Sequence, residues 1–245
     1  MRRFRYSIVV LLVLLAFSYV GESQTKRGLW MGVDLSKPLT KSLSVNISPE
    51  LRCENSPFRM QDFILEASFR LKLISWVQFE GGYRYSRFYE KDFDDRFNDS
   101  RYFAGIRSKI DFGRFSLVNR GHNQRSLIYW YEDGYSVEVM DNLRNRVHLN
   151  YNIPRTKLEP FIQGELYYDI SSGKQSEFNR IRLRAGASYP LNKRGQVEVF
   201  WQYQEKLNAN NLEDSYVLGV FYSYKFKRSK QSEMNDNDSL EADGQ

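Results

Sequence analysis

The chain of 245 residues has one cysteine, Cys53, so it cannot form an internal disulfide. Cys53 reads as a small hydrophobe rather than as a catalytic thiol. Histidine is equally scarce: His122 and His148 are the only two. Neither stands at a recognisable spacing from a serine or a pair of carboxylates, so no acid–base constellation assembles and no catalytic residue is expected. Metal-ligand clusters, phosphate loops and glycine-rich dinucleotide fingerprints are missing too, so neither a metal nor a cofactor is expected. Long hydrophobic runs are confined to the first 20 residues. Beyond them nothing approaches the ~20 apolar residues that a membrane-spanning helix requires. Charge excess is small. The formal net charge is +6, and residues 1–23 carry Arg2, Arg3, Arg5 and Glu22, which leaves +4 for the rest. An excess of that size, without a basic patch set beside stacking aromatics, gives no case for a nucleic-acid partner.

What the chain does have at its start is an export signal. Arg2, Arg3 and Arg5 precede an apolar stretch over residues 8–20, and Gly21-Glu22-Ser23 supplies small residues for cleavage before Gln24. Residues 1–23 therefore read as a signal peptide. No cysteine follows the cleavage site, so no lipid anchor is expected. The remainder is either soluble in the periplasm or crosses a membrane as strands.

Aromatics are abundant, with 17 Tyr and 17 Phe, and most fall into strict alternation. The clearest stretch is residues 216–226. Tyr216, Leu218, Val220, Tyr222, Tyr224 and Phe226 share one face, while Val217, Gly219, Phe221, Ser223 and Lys225 share the other. A period of two over eleven positions is a strand and not a helix. An aromatic outer face ending in Phe226 suits the closing strand of an outer-membrane barrel, and this face is expected to act as the insertion signal.

The same alternation recurs from residue 41 onward. Phe63, Leu65, Ala67, Phe69 and Leu71 oppose Glu66, Arg70 and Lys72; Ile181, Leu183 and Ala185 oppose Arg180, Arg182 and Arg184. Residues 115–153 read as two long strands joined near Gly134, their tips standing clear of a membrane. Connections alternate between short ones near residues 74, 113, 154 and 193 and longer or more polar ones near 56, 95, 133, 174 and 210. Short periplasmic turns opposite long external loops are the habit of outer-membrane barrels. The prediction is an all-β, antiparallel transmembrane β-barrel of about ten strands. If the run around Trp30 spans and the middle splits, twelve result. The division expected is residues 1–23 signal peptide, 24–40 N-terminal segment with a short strand, 41–227 barrel, and 228–245 a disordered polar tail.

Several short motifs carry a family resemblance: Trp30-Met-Gly-Val, Lys37-Pro-Leu39, Glu50-Leu-Arg52, Gly82-Tyr-Arg-Tyr85, Asn119-Arg120, Arg144-Asn-Arg146 and Tyr222-Ser-Tyr-Lys-Phe226. Over residues 28–227 the chain resembles an uncharacterised domain family of Bacteroidetes-type outer-membrane β-barrel proteins. The resemblance implies a small barrel and transfers no catalytic residues.

In such a barrel the polar face lines the lumen. The expected lining is Glu66, Arg70, Glu80, Arg84, Arg107, Lys109, Arg144, Arg146, Glu165, Arg180, Arg182, Arg184 and Glu198. Narrow barrels are filled by side chains, so these charges read as a salt-bridged plug. The other reading is a narrow, basic-lined path with weak anion preference. His148 reads as one more lumen residue and His122 as part of a polar segment near the surface. The function expected is a non-catalytic integral outer-membrane barrel: an envelope structural protein, an adhesin or a narrow channel. Its partners would be outer-membrane lipid and the secretion and barrel-assembly machineries. The alternatives are a soluble periplasmic barrel binding an apolar ligand, and an outer-membrane hydrolase.

Overall fold

Alternation of side chains along a strand forces one face of every strand to the same side of a sheet. Eleven such strands close the sheet on itself. The computed structural model describes residues 26–54, 60–90, 95–130, 136–173, 175–207 and 214–228. In chain order the strands are β1 Lys26–Pro38, β2 Leu43–Glu54, β3 Met60–Lys72, β4 Val77–Glu90, β5 Asp95–Phe112, β6 Phe115–Trp130, β7 Ser136–Tyr151, β8 Glu159–Asp169, β9 Glu177–Pro190, β10 Gly195–Lys206 and β11 Ser215–Lys225. Each pairs antiparallel with the next, and β1 pairs parallel with β11 to complete a closed barrel. Closure leaves no open edge. The expected signal peptide, residues 1–23, and the expected tail past residue 228 lie outside the described residues.

The strand number corrects the expectation of ten or twelve. The run around Trp30 is a full strand, hydrogen-bonded to β2 on one side and to β11 on the other. Trp30 lies opposite Arg52 in one register and Gly219 in the other. Pro38 ends β1 at its last position, where a missing N–H costs least. An odd count with a parallel seam sends β1 and β11 in the same direction. The chain therefore enters the barrel at the end of the long connections and leaves it at the end of the short ones.

The connections explain why the ends differ. Residues 39–42, 73–76, 113–114, 152–158 and 191–194 all lie at one end. The tightest is the two-residue turn between β5 and β6, where Gly113 has φ 61°. Glycine in the first central position is what a hairpin of the mirror-image type requires. At the opposite end β4 to β7 run past their neighbours, and inward rings stack there: Phe97 lies 4.7 Å from Phe88 and 4.6 Å from Trp130.

The apolar face points outward on every strand, as expected. Met31, Val33, Ile47, Leu65, Ile106, Val147, Ile162, Leu183, Val199 and Val220 are all exposed. The outward band is bounded by aromatics at both heights. The short-turn end carries Trp76, the Phe112–Phe115–Tyr151 run and the Tyr222–Tyr224–Phe226 run. The loop end carries the Tyr83–Tyr102, Tyr168–Phe178 and Tyr203–Tyr216 pairs. From Tyr102 to Phe112, at ~3.3 Å per residue and the ~40° tilt usual in barrels, the height is ~25 Å. The band has one polar interruption on β6 and β7. There Asn145 donates to Asn119 at 3.0 Å, and Arg125 grips Asp141 through two 2.8 Å hydrogen bonds nearer the loop end.

Candidate functional site

Inside the barrel the polar face leaves a cavity of about 670 Å³. Its mouth lies among the short turns, at Lys193, Arg194 and Lys225, and its lining goes no further towards the loop end than Arg52, Arg84, Arg144 and Arg182. The cavity is thus a vestibule that stops part-way through the barrel. Beyond it the interior is filled by buried polar side chains, among them Asp62, Asp99, Gln124 and Ser126.

The interior is braced by ion pairs between neighbouring strands and, at Glu80, across an intervening one. Glu66 on β3 accepts from Arg84 on β4 at 2.5 and 2.8 Å. Glu165 on β8 lies 2.5 Å from Arg144 on β7 and 3.4 Å from Arg182 on β9, with Tyr167 donating to the same carboxylate at 3.0 Å. Arg182 also donates to the Tyr167 hydroxyl at 2.7 Å and to Gln204 at 2.5 Å. Glu80 on β4 accepts from Nε and Nη2 of Arg120 on β6 and lies 2.5 Å from His122. Buried charges are tolerated only when paired in this way.

Aromatic rings carry the remaining guanidinium faces. Arg52 lies 3.7 Å over the Trp30 ring and Arg184 lies 4.1 Å over Phe200. Such stacking favours arginine, whose planar cation is weakly hydrated. Room for the rings comes from glycines on the next strand. Gly219 lies directly opposite Phe200, and a Cβ there would enter the Phe200 ring.

The structure brings most of the expected lining together. Glu66, Arg70, Arg84, Arg107, Arg144, Arg146, Arg182, Arg184 and Glu198 line the vestibule. Glu80 and Glu165 lie buried behind its wall as counter-ions. Arg180 sits above the floor, 5.2 Å over the Tyr167 ring. Lys109 is placed elsewhere: it keeps the inward phase but lies past the cavity at the short-turn end, pairing with Asp111 at 3.3 Å. His122 is not near the surface. It is buried in the lumen wall, stacked 5.0 Å from Phe103. His148 lines the vestibule, bonded to Gln163 at 3.2 Å and Asn150 at 2.8 Å. Tyr216, Leu218, Val220, Tyr222, Tyr224 and Phe226, expected from the sequence as an insertion signal, form the outward face of β11 and its end.

Members of the site that sequence reasoning missed include Glu50, Arg52, Arg120 and the ring of Trp30. Glu50 and Arg52 follow Pro49 and were available from their polar phase in β2. Arg120 lies between polar outward neighbours, so alternation alone does not mark it.

No curated protein matches the chain at a significant level. Among solved structures it is similar to the beta domain of the Bordetella autotransporter Brka, at 9% sequence identity and a TM-score of 0.47, over 76% of this chain and 85% of that one. Residues 27–216 match a family model described as "Protein of unknown function (DUF2490)". That match spans most of the chain, and β1 to the start of β11 fall within it, so the protein belongs to the DUF2490 family.

Proposed function

We propose that the protein is an integral outer-membrane β-barrel of non-catalytic role, an envelope structural protein whose lumen is braced by salt bridges and opens as a basic vestibule at the short-turn end. The observation that carries this reading is the outward apolar band between two aromatic girdles, set around a charged interior. A band of ~25 Å with aromatic borders fits the hydrocarbon of an outer membrane. The sequence resemblance to Bacteroidetes-type outer-membrane proteins points to the same location. The partners on this reading are outer-membrane lipid, the secretion machinery that takes the signal peptide, and the barrel-assembly machinery.

A soluble barrel with an apolar ligand cavity would need the opposite facing, with Phe69, Ile162 and Val199 inside and the arginines outside. A hydrolase would need a nucleophile beside the Glu80–His122 pair. Here Arg120 shares the Glu80 carboxylate and Phe103 covers the ring of His122. The narrow-channel reading draws support from the excess of cations along the vestibule. Bilayer recordings on Arg182→Glu/Arg184→Glu test it, and unchanged ion selectivity counts against it.

The experiment for the main reading is envelope fractionation followed by electrophoresis of the membrane fraction with and without boiling. Recovery in the outer membrane, with faster migration of the unboiled protein, is the expected result. Recovery in the soluble periplasm would overturn it.

A further inference from the structure

Three arginines stand side by side on the vestibule wall. Arg107 on β5 is the register partner of Arg120 on β6, and Arg120 is the register partner of Arg146 on β7. All three line the cavity. Directly opposed residues hold their Cβ atoms ~5 Å apart, and like charges so placed repel. Two carboxylates flank the row, and both are engaged. Glu80 is bonded to Arg120 and His122. Glu165, the register partner of Arg146 on β8, is bonded to Arg144, Arg182 and Tyr167. Arg107 and Arg146 have no carboxylate at ion-pair distance among the described residues. The next row towards the mouth runs from His148 through Gln163 to Arg184, which donates to the Gln202 amide at 2.6 Å.

Twelve cationic side chains line the cavity against four carboxylates, and Glu80 and Glu165 behind the wall still leave an excess of six cations. Repulsion in a narrow, low-dielectric space is weakly screened, so such an excess calls for a counter-anion. Bracing does not account for it, because a brace pairs its charges, as Glu66 and Arg84 do. The row selects the kind of anion. Guanidinium forks match phosphoryl oxygens two at a time. Arg107 and Arg146 each present a full set of guanidinium donors, with the neutralised Arg120 between them, which suits two linked phosphoryl groups better than one. The volume of about 670 Å³ is that of a small-molecule site. Its mostly polar lining suits a hydrophilic solute and not an acyl chain. Lys193, Arg194 and Lys225 at the mouth would draw an anion in.

We propose that the vestibule binds a small water-soluble solute carrying a diphosphate group, clamped by Arg107 and Arg146 on either side of Arg120, with Arg184 one row nearer the mouth. This rests on the reading above, in which the charged face lines the lumen of a closed barrel. The vestibule stops part-way through that barrel, so the solute is held and not passed.

The test uses the whole chain recovered with the membrane fraction, purified in detergent and checked for the heat-modifiable migration of a closed barrel. The probe is inorganic pyrophosphate, titrated by calorimetry. Saturable binding at one site per barrel is expected, at least ~10-fold tighter than that of orthophosphate and weaker as salt rises. Arg107→Gln/Arg146→Gln should weaken it by ~10-fold or more. Lys193→Gln/Arg194→Gln removes the same charge from the rim and should weaken it by less than ~3-fold. Loss of fold is read separately: the Arg107→Gln/Arg146→Gln barrel should keep its heat-modifiable migration, and pyrophosphate should raise the urea midpoint of the parent and not of this variant. Equal losses in the two double variants would reduce the effect to net charge and overturn the row as the site. Orthophosphate binding as tightly as pyrophosphate overturns the diphosphate. No saturable binding by a heat-modifiable barrel overturns the proposal and leaves the barrel reading standing. Migration that heat does not change overturns the barrel reading, and the proposal with it.

Discussion

Glu80 and His122 meet at 2.5 Å although their strands are not neighbours. β5 runs between them, and its residue at that height is Gly105, paired with Glu80 on one side and His122 on the other. A Cβ on Gly105 would collide with His122. The missing side chain is what lets a carboxylate on β4 reach a ring and a guanidinium on β6.

The brace built on this contact should be costly to break. Glu80→Ala removes the buried carboxylate shared by Arg120 and His122 and leaves the half-buried Arg120 cation unpaired, an expected loss of ~3 kcal/mol. Glu80→Gln keeps one acceptor and should lose less. Gly105→Ala should destabilise by forcing the Gly121 backbone and the His122 ring aside. Urea unfolding in lipid vesicles, followed by tryptophan fluorescence, checks the order; a Glu80→Ala midpoint equal to that of the parent would contradict it.

The parallel seam between β1 and β11 has its own test. Asp34 and Ser223 are register partners there, and the Ser223 hydroxyl lies 3.5 Å from the Asp34 carboxylate. In a Cys53→Ser background, Asp34→Cys/Ser223→Cys should oxidise to an intramolecular disulfide. A ten-stranded barrel closed by β2 against β11 would not bring these positions together, and failure of the bond under mild oxidant would favour it.

The outward end of β11 should direct membrane insertion. Tyr222, Tyr224 and Phe226 form one aromatic run, with Phe226 edge-on to Tyr224 at 4.9 Å. Tyr224→Asp/Phe226→Asp places two charges where lipid and the assembly machinery meet the strand. Outer-membrane recovery should fall to background in fractionated cells. Normal levels of the double variant would remove the insertion role.

Much of this architecture was legible wherever alternation was strict. β3, β4 and β8 to β10 have apolar outward and largely polar inward positions, so their facing, and the need for a carboxylate among Glu66, Glu80, Glu165 and Glu198 to meet Arg180, Arg182 and Arg184, followed from period two. Legibility failed where a second signal overrode the contrast. On β6 the outward positions Asn119, Gly121 and Asn123 are themselves polar or small, so neither Arg120 nor His122 stood out as inward. β1 was underestimated because its closing partner lies nearly 190 residues away and pairs parallel, a contact no local pattern records. Lys109 shows the third limit: phase assigns a face, and only strand register assigns a height.

The central claim is that the apolar face meets lipid and the charged face does not. The four tryptophans allow a direct reading, because Trp201 faces outward at 42% exposure while Trp30 faces the lumen at 3%. Two single-tryptophan variants, with the other three changed to phenylalanine, would be reconstituted in phospholipids brominated along their acyl chains. The account predicts strong quenching of Trp201 and little of Trp30. Equal quenching, or quenching of Trp30 alone, would contradict it and turn the barrel inside out.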